Sequence, residues 1–69
     1  MSVFSKQLRE DRTKLGFTQT SFGEALGVSQ DAVYYWETRN ILPYALLLIS
    51  IENVLGWPRG QSLKVIEQG

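Results

Sequence analysis

Apolar residues recur at helical spacing along most of the chain, and glycines or capping residues interrupt this pattern at short intervals. Residues 3–15 predict a first helix that ends before Gly16, because glycine readily takes the left-handed conformation that closes a helix. The face predicted to point inward carries Phe4, Leu8 and Leu15. Beyond the glycine the helical pattern resumes in shorter segments.

Two short helices follow, and a tight corner joins them. Thr18 is a favourable N-cap for a helix over residues 19–26, and Gly27 ends that helix. Ser29 is in turn a favourable N-cap for a third helix over residues 30–38. Two short helices joined in this way form a helix-turn-helix unit. The residues expected to face inward are Phe22, Ala25, Leu26 and Val33, together with Trp36 or Glu37.

The second half of the chain predicts one longer helix and one short helix. Pro43 suits the first turn of a fourth helix, which continues to Leu55 and stops at Gly56. Residues 62–68 predict a short fifth helix. The pattern therefore indicates an all-α fold, a compact bundle of about five short helices. The apolar stripe of the fourth helix consists of Tyr44, Leu47, Leu48, Ile51, Val54 and Leu55.

Composition narrows the chemistry available to the chain. Its 69 residues allow one small domain, and they include no cysteine and no histidine. Disulfides, cysteine nucleophiles, histidine acid–base catalysis and ordinary zinc sites are therefore excluded. No apolar run approaches the ~18 to 20 residues of a membrane span, and no signal-peptide pattern is present. We expect a cytoplasmic protein that is not an enzyme and that needs no cofactor and no metal.

The segment from residue 18 to residue 37 resembles the Cro/phage-repressor (XRE-like) helix-turn-helix family. It has Thr-Gln at 18–19, a small residue at Gly23, Leu-Gly-Val-Ser at 26–29 and Val-x-x-Trp-Glu at 33–37, in the family's order and spacing. The resemblance extends over roughly residues 4–56 and implies a lambda-repressor-like DNA-binding domain. A small residue is needed at Gly23 because the second and third helices cross there.

This resemblance implies a function and a set of partners. We expect residues 1–69 to form a single helix-turn-helix DNA-binding domain, with the helix-turn-helix at about residues 18–38. The family similarity implies a sequence-specific transcriptional regulator, a small Cro-like repressor of phage or prophage type. Its third helix would enter the major groove of a double-stranded DNA operator, and it would bind as a weak or DNA-assisted homodimer. No membrane and no small-molecule ligand are expected.

Base contacts are expected from the exposed start of the third helix. The resemblance makes Gln30 a principal base contact, since its amide can pair with adenine, and Ala32 can contact a thymine methyl group. Asp31 can accept from cytosine N4, or it can simply stabilise the first turn of its own helix. Of the two adjacent tyrosines, Tyr35 is favoured as a base contact. Tyr34 either contacts phosphate or has no contact with DNA, being packed against the protein or simply exposed.

Phosphate contacts are expected from both helices of the unit. The family uses the position of Gln19 in this way, and Arg39 is a suitable cation at the end of the third helix. Thr18 is a further candidate for a phosphate contact; the alternative is that it serves as an N-cap and has no contact with DNA. Residues 38–43 read Thr-Arg-Asn-Ile-Leu-Pro, where many members have Asn-Gly and more basic residues, and Leu46 follows where a polar contact would help. We therefore expect weaker contacts with the DNA backbone from the segment that follows the third helix.

The resemblance also implies a structural ion pair between Arg12 and Glu37, partly buried between the first and third helices. The alternative is two solvated charges that contribute little to stability. The formal net charge is zero, from seven Lys+Arg and seven Asp+Glu, which is unusual for a DNA-binding protein. We therefore predict weak non-specific DNA binding, and strong reliance on base contacts, DNA shape and the pairing of two subunits.

The last two helices carry more apolar residues than one small core can absorb. Exposed apolar surface of this kind favours a dimer contact. Two of these residues, Trp57 and Ile66, can instead complete the core of a single copy. The alternative function is an antitoxin-like or other protein-interaction module that uses the same surface. The predicted dimer surface comprises Leu46, Ile49, Trp57, Leu63 and Ile66, with Val65 beside them.

Overall fold

The computed structural model describes residues 2–69, and within them it contains five helices and no strand. The all-α prediction is confirmed. The helices pack into a body of 27 × 23 × 22 Å, in which α1 contacts α3 and α5 while α2 contacts α3 and α4. Their bounds are α1 Val3–Lys14, α2 Gln19–Leu26, α3 Gln30–Thr38, α4 Ala45–Leu55 and α5 Gln61–Glu67.

Local capping determines where α2 and α3 begin. The Ser21 amide donates to Thr18 Oγ1 at 3.0 Å, and the Thr18 amide donates back to Ser21 Oγ at 2.9 Å. At α3 the Ala32 amide donates to Ser29 Oγ at 3.3 Å. Both predicted N-caps are thus confirmed, since each hydroxyl satisfies an N–H group that has no partner inside its helix.

The corner between α2 and α3 depends on two glycines. Gly27 has φ +77°, a left-handed conformation that costs little without a Cβ atom. Gly23 lies where α2 crosses the corner, and a Cβ atom there would be 2.8 Å from the carbonyl oxygen of Val28. The close crossing predicted for Gly23 is therefore confirmed.

All five helices contribute to one core. Phe17 and Phe22 meet edge to face across the start of α2, with ring centroids 5.6 Å apart. Burial of each large apolar side chain stabilises the fold by about 1.5–3 kcal/mol. The buried apolar residues are Phe4, Leu8, Phe22, Val33, Trp36, Leu48, Ile51, Leu55 and Val65.

Three residues predicted to face inward are exposed. Leu15 is the C-cap of α1, so the helix has ended at this residue and its side chain does not lie on the buried face of α1. Tyr44 is the N-cap of α4, so it lies before the helix and the helical spacing that predicted it to face inward does not apply to it. Pro43 lies one residue earlier still and is therefore outside the first turn of α4, where it was predicted. Ala25 is exposed, although it follows the buried Phe22 by three residues in α2. Two of these three errors fall at helix ends, where helical spacing no longer describes the chain.

The fifth helix is shifted by one residue from its predicted position, to Gln61–Glu67. A carboxylate from α4 holds its start: Glu52 is buried and accepts from Ser62 Oγ at 2.6 Å, Ser62 N at 3.0 Å and Gly60 N at 3.1 Å. These bonds, led by that from the Ser62 hydroxyl, hold the pKa of the Glu52 carboxyl below its ordinary value, although burial acts in the opposite direction. No helix within residues 2–69 is both long and apolar enough to cross a membrane.

Candidate nucleic-acid interface

The outer side of α3 is polar and accessible. Gln30, Asp31 and Tyr35, three of the predicted base contacts, are exposed. The fourth, Ala32, is half-buried and packs against the core, so only part of its methyl group is available. The opposite side of α3 is buried through Val33, Trp36 and Glu37. The helix therefore has one face for the core and one that is open to a ligand.

An aromatic and cationic cluster lies at the C-terminal half of α3. The rings of Tyr34 and Tyr35 meet edge to face at 5.8 Å, and both side chains are exposed. Arg39, the C-cap residue, holds its guanidinium 5.2 Å from the centre of the Tyr35 ring. This contact keeps a positive charge close to the outer side of the helix. Tyr34 does not pack in the core, and its exposure is compatible with a phosphate contact and with a side chain that has no contact with DNA.

The start of α2 lies beside the start of α3. The Thr18 hydroxyl serves as an N-cap and bonds to Ser21, while the side chain remains exposed. Gln30 Nε2 donates to Gln19 Oε1 at 2.8 Å, so the two amide side chains are joined across the corner. The first N–H groups of a helix have no partner inside it and favour anions. The predicted phosphate contacts and the predicted base contacts are therefore adjacent here.

A buried ion pair lies beneath this surface. Arg12 Nε is 2.7 Å from Glu37 Oε2, and Arg12 Nη2 donates to Glu37 Oε1 at 3.1 Å. The guanidinium also donates to the Phe17 carbonyl oxygen at 2.7 Å through Nη1. The side chains of Arg12 and Glu37 are only 8% and 1% exposed. This is a bidentate pair shielded from water, and not the pair of solvated charges that the sequence left open.

Sequence reasoning did not find the contact between this ion pair and the surface amides. Gln19 Nε2 donates to Glu37 Oε1 at 3.2 Å, although the two residues are separated by 18 positions along the chain. A continuous series of hydrogen bonds therefore runs from Arg12 through Glu37 and Gln19 to Gln30. Nothing in helical spacing or capping signals such a contact, because it depends on how α2 packs against α3.

The predicted dimer surface divides into two groups. Leu46, Leu63 and Ile49 are exposed, at 69%, 57% and 37%. Trp57 and Ile66 are half-buried against the core, and Trp57 Nε1 donates to Asp11 Oδ2 at 2.7 Å. These two residues thus serve the core of a single copy, which was the alternative, and Val65 is fully part of that core.

A groove of about 230 Å³ lies between α4 and α5, beside the exposed apolar residues. Ile49, Leu63 and Glu52 are among the residues that line it. A second apolar area, not predicted from the sequence, includes Ile41 and Leu42 in the segment before α4. Among residues 2–69 no group of His, Cys, Asp and Glu side chains is arranged to hold a metal ion.

Comparison with known proteins identifies the family. A family model described as helix-turn-helix matches residues 8–59, which is more than half of the chain and includes α2, the corner and α3. The protein therefore belongs to the helix-turn-helix family, of the Cro/XRE-like type, and is a DNA-binding regulator. No curated protein and no solved structure gives a significant match.

Proposed function

We propose that this protein is a Cro-like transcriptional repressor that inserts α3 into the major groove of an operator. The observation that carries the proposal is the joined amide pair: Gln30 on the exposed side of α3 bonds to Gln19 at the start of α2. The two amide side chains thus form one continuous polar surface across α2 and α3. In this family's docking geometry the second helix of the unit lies in the groove, so Gln30 would lie against base edges. Bound there, the protein would block polymerase at an overlapping promoter.

The proposed base contacts are Gln30, Asp31, Ala32 and Tyr35. Gln30 pairs with adenine, and Asp31 accepts from cytosine N4. The exposed part of the Ala32 methyl contacts a thymine methyl. A good bidentate contact discriminates against the wrong base by about 1–3 kcal/mol. Since the chain has no net charge, these contacts supply a larger share of affinity than in a basic protein.

The proposed phosphate contacts are Gln19, Thr18, Tyr34 and Arg39, together with the free N–H groups at the start of α2. Of these four side chains, Arg39 alone has a formal positive charge. We therefore expect a shallow salt dependence, because each neutralised phosphate contributes about −0.9 to the slope of log affinity against log salt.

A homodimer would supply the affinity that one small unit lacks. Two copies related by a two-fold axis read half-sites about 34 Å apart. The exposed leucines of α4 and α5, Leu46 and Leu63, support a contact between copies, with Ile49 beside them. Of the predicted dimer surface only these three side chains are exposed, which favours a weak dimer that strengthens on the operator.

Selection from a random duplex library tests the proposal. Rounds of binding at several salt concentrations should enrich a two-fold symmetric sequence, and affinity for it should exceed that for unselected DNA. Absence of enrichment even at the lowest salt concentration would contradict the proposal.

A second candidate function is an antitoxin-like protein-interaction module. The exposure of Leu46 and Leu63 beside the α4–α5 groove favours it. This function predicts that no DNA sequence is enriched and that a partner protein is bound through the same leucines. Replacing both leucines with glutamate would then abolish partner binding.

A further inference from the structure

In the series of hydrogen bonds from Arg12 to Gln30, the donor and the acceptor of each bond are fixed by the chemistry of the Glu37 carboxylate, which can only accept. We infer that Glu37 is a positioning residue for base recognition: its carboxylate determines which end of the Gln19 amide, and hence of the Gln30 amide, faces the DNA. The inference rests on the proposed function, in which Gln30 contacts a base. Glu37 itself is buried and does not reach the surface.

The first step concerns Gln19. A carboxylate paired with arginine can only accept hydrogen bonds, and both oxygens of Glu37 are held by the Arg12 guanidinium, at 2.7 and 3.1 Å. Gln19 must therefore turn its NH2 group toward Glu37 Oε1, where the distance is 3.2 Å. The opposite orientation would place a carbonyl oxygen against a buried carboxylate oxygen, an acceptor against an acceptor, with the loss of a hydrogen bond.

The second step concerns Gln30, whose amide orientation follows from that of Gln19. With one N–H of its NH2 group bonded to Glu37, Gln19 presents Oε1 to Gln30, and an acceptor there requires a donor. Gln30 accordingly turns Nε2 toward it, at 2.8 Å. This leaves the Gln30 carbonyl oxygen and one N–H free. An adjacent acceptor and donor match adenine, which offers the N6 amino group and the N7 acceptor in the major groove.

The same orientation disfavours guanine. Guanine presents two acceptors at this edge, O6 and N7, so the free carbonyl oxygen of Gln30 would face O6 without a proton between them. If the Gln19 amide could turn over, Gln30 could turn over as well and direct its NH2 group at guanine. Glu37 thus contributes to the choice between two purines without touching DNA.

Two variants separate this role from simple structural support. Glu37→Gln replaces the obligatory acceptor with a group that can also donate, which frees both surface amides to turn. Arg12→Lys weakens the same buried pair but keeps the carboxylate. A purely structural role predicts that both variants lose stability and that affinity falls alike for all sequences. The positioning role predicts a change of base preference in Glu37→Gln alone.

The experiment measures binding to the selected operator and to versions with adenine replaced by guanine, at the base pair where Gln30→Ala loses its preference. For Glu37→Gln we expect the adenine-over-guanine ratio to fall at least about fivefold, and for Arg12→Lys we expect it to stay within about twofold. An unchanged ratio in Glu37→Gln, with the wild type still selective, overturns the inference and leaves the proposed function standing. A wild type that selects no sequence overturns both.

Loss of folding in Glu37→Gln would not prevent the test. A double variant, Arg12→Met with Glu37→Met, replaces the buried pair with apolar side chains of similar length, a change that folded proteins tolerate well. It removes the acceptor for Gln19, so the same fall in the ratio is expected. In the DNA-free protein, the side-chain amide NMR signals of Gln19 and Gln30 should shift in this variant and stay close to wild type in Arg12→Lys. Unmoved signals in the double variant would overturn the inference.

Discussion

At the scale of single residues, Gln30 combines exposure with one internal hydrogen bond, to Gln19. Replacement by alanine removes a proposed base contact and leaves the Gln19 oxygen open to water, so the fold should be little affected. We expect Gln30→Ala to weaken operator binding by about 1–3 kcal/mol and to relax base choice at one position. Selection repeated with the variant measures this. A uniform loss across all sequences would contradict a base contact.

Arg39 is expected to behave in the opposite way, because a phosphate contact carries no sequence information. Arg39→Ala should weaken binding to all sequences alike and reduce the salt slope by about one. Arg39→Lys is the matched control, since it keeps the charge and should keep the slope. The guanidinium also packs on the Tyr35 ring. A change in sequence preference in Arg39→Ala would therefore assign Arg39 to base recognition through Tyr35.

At the scale of helices, the corner between α2 and α3 has one position, Gly23, at which an added side chain would be too close to backbone atoms. A Cβ atom at residue 23 would lie 2.8 Å from backbone oxygen, where neither atom can move freely. Alanine gains about 0.5–1 kcal/mol of helix preference over glycine, but overpacking costs about 1–3 kcal/mol. We expect Gly23→Ala to lower the free energy of unfolding in urea. The exposed neighbour Glu24→Ala should change it by less than about 0.5 kcal/mol.

The start of α5 depends on the ionised form of Glu52. Hydrogen bonds from Ser62 and Gly60 lower the pKa of this carboxyl in the folded protein below the ordinary value near 4.5. Its contribution to stability is therefore present above that value and is lost as the pH falls through and below it. We expect Glu52→Gln to be less stable than wild type at neutral pH, and the gap to narrow in acid. Urea unfolding over a pH series measures this.

An exposed glutamate provides the comparison for Glu52. Glu24→Gln, on the surface of α2, should leave the free energy of unfolding at neutral pH close to wild type. A gap between Glu52→Gln and wild type that stays constant from neutral pH into acid would show that the carboxylate of Glu52 does not stabilise α5 through its charge.

At the scale of the whole molecule, the proposed self-association rests on exposed leucines of α4 and α5. We expect wild-type protein to form more dimer as its concentration rises, and still more on a two-fold symmetric operator, in analytical ultracentrifugation. Leu46→Glu with Leu63→Glu should remain monomeric, while the free energy of monomer unfolding changes little because both side chains are exposed. Leu15→Glu, another exposed leucine, is the control. Wild type that is monomeric both free and on the operator would contradict the dimer.

Much of the fold could be predicted because its signals are local. The hydroxyl caps at Thr18 and Ser29 and the left-handed Gly27 lie within a few residues of the groups they satisfy. Errors occurred where periodicity was extended past a helix end, as at Leu15 and Tyr44. Of the site, exposure of Gln30, Asp31 and Tyr35 follows from helical geometry, whereas the packing of Trp57 on the core does not.

The sequence by itself determined the helices, the corner and the family, because capping, glycine conformation and apolar spacing act over short stretches of chain. Only the tertiary structure decided which partners distant side chains meet. Trp57 bonds to Asp11 across 46 positions, and Glu37 reaches Gln19 across 18. Such contacts depend on the angles at which helices pack, and those angles come from the whole core acting together. The orientation of the amide proposed to read the DNA is therefore a property of the fold.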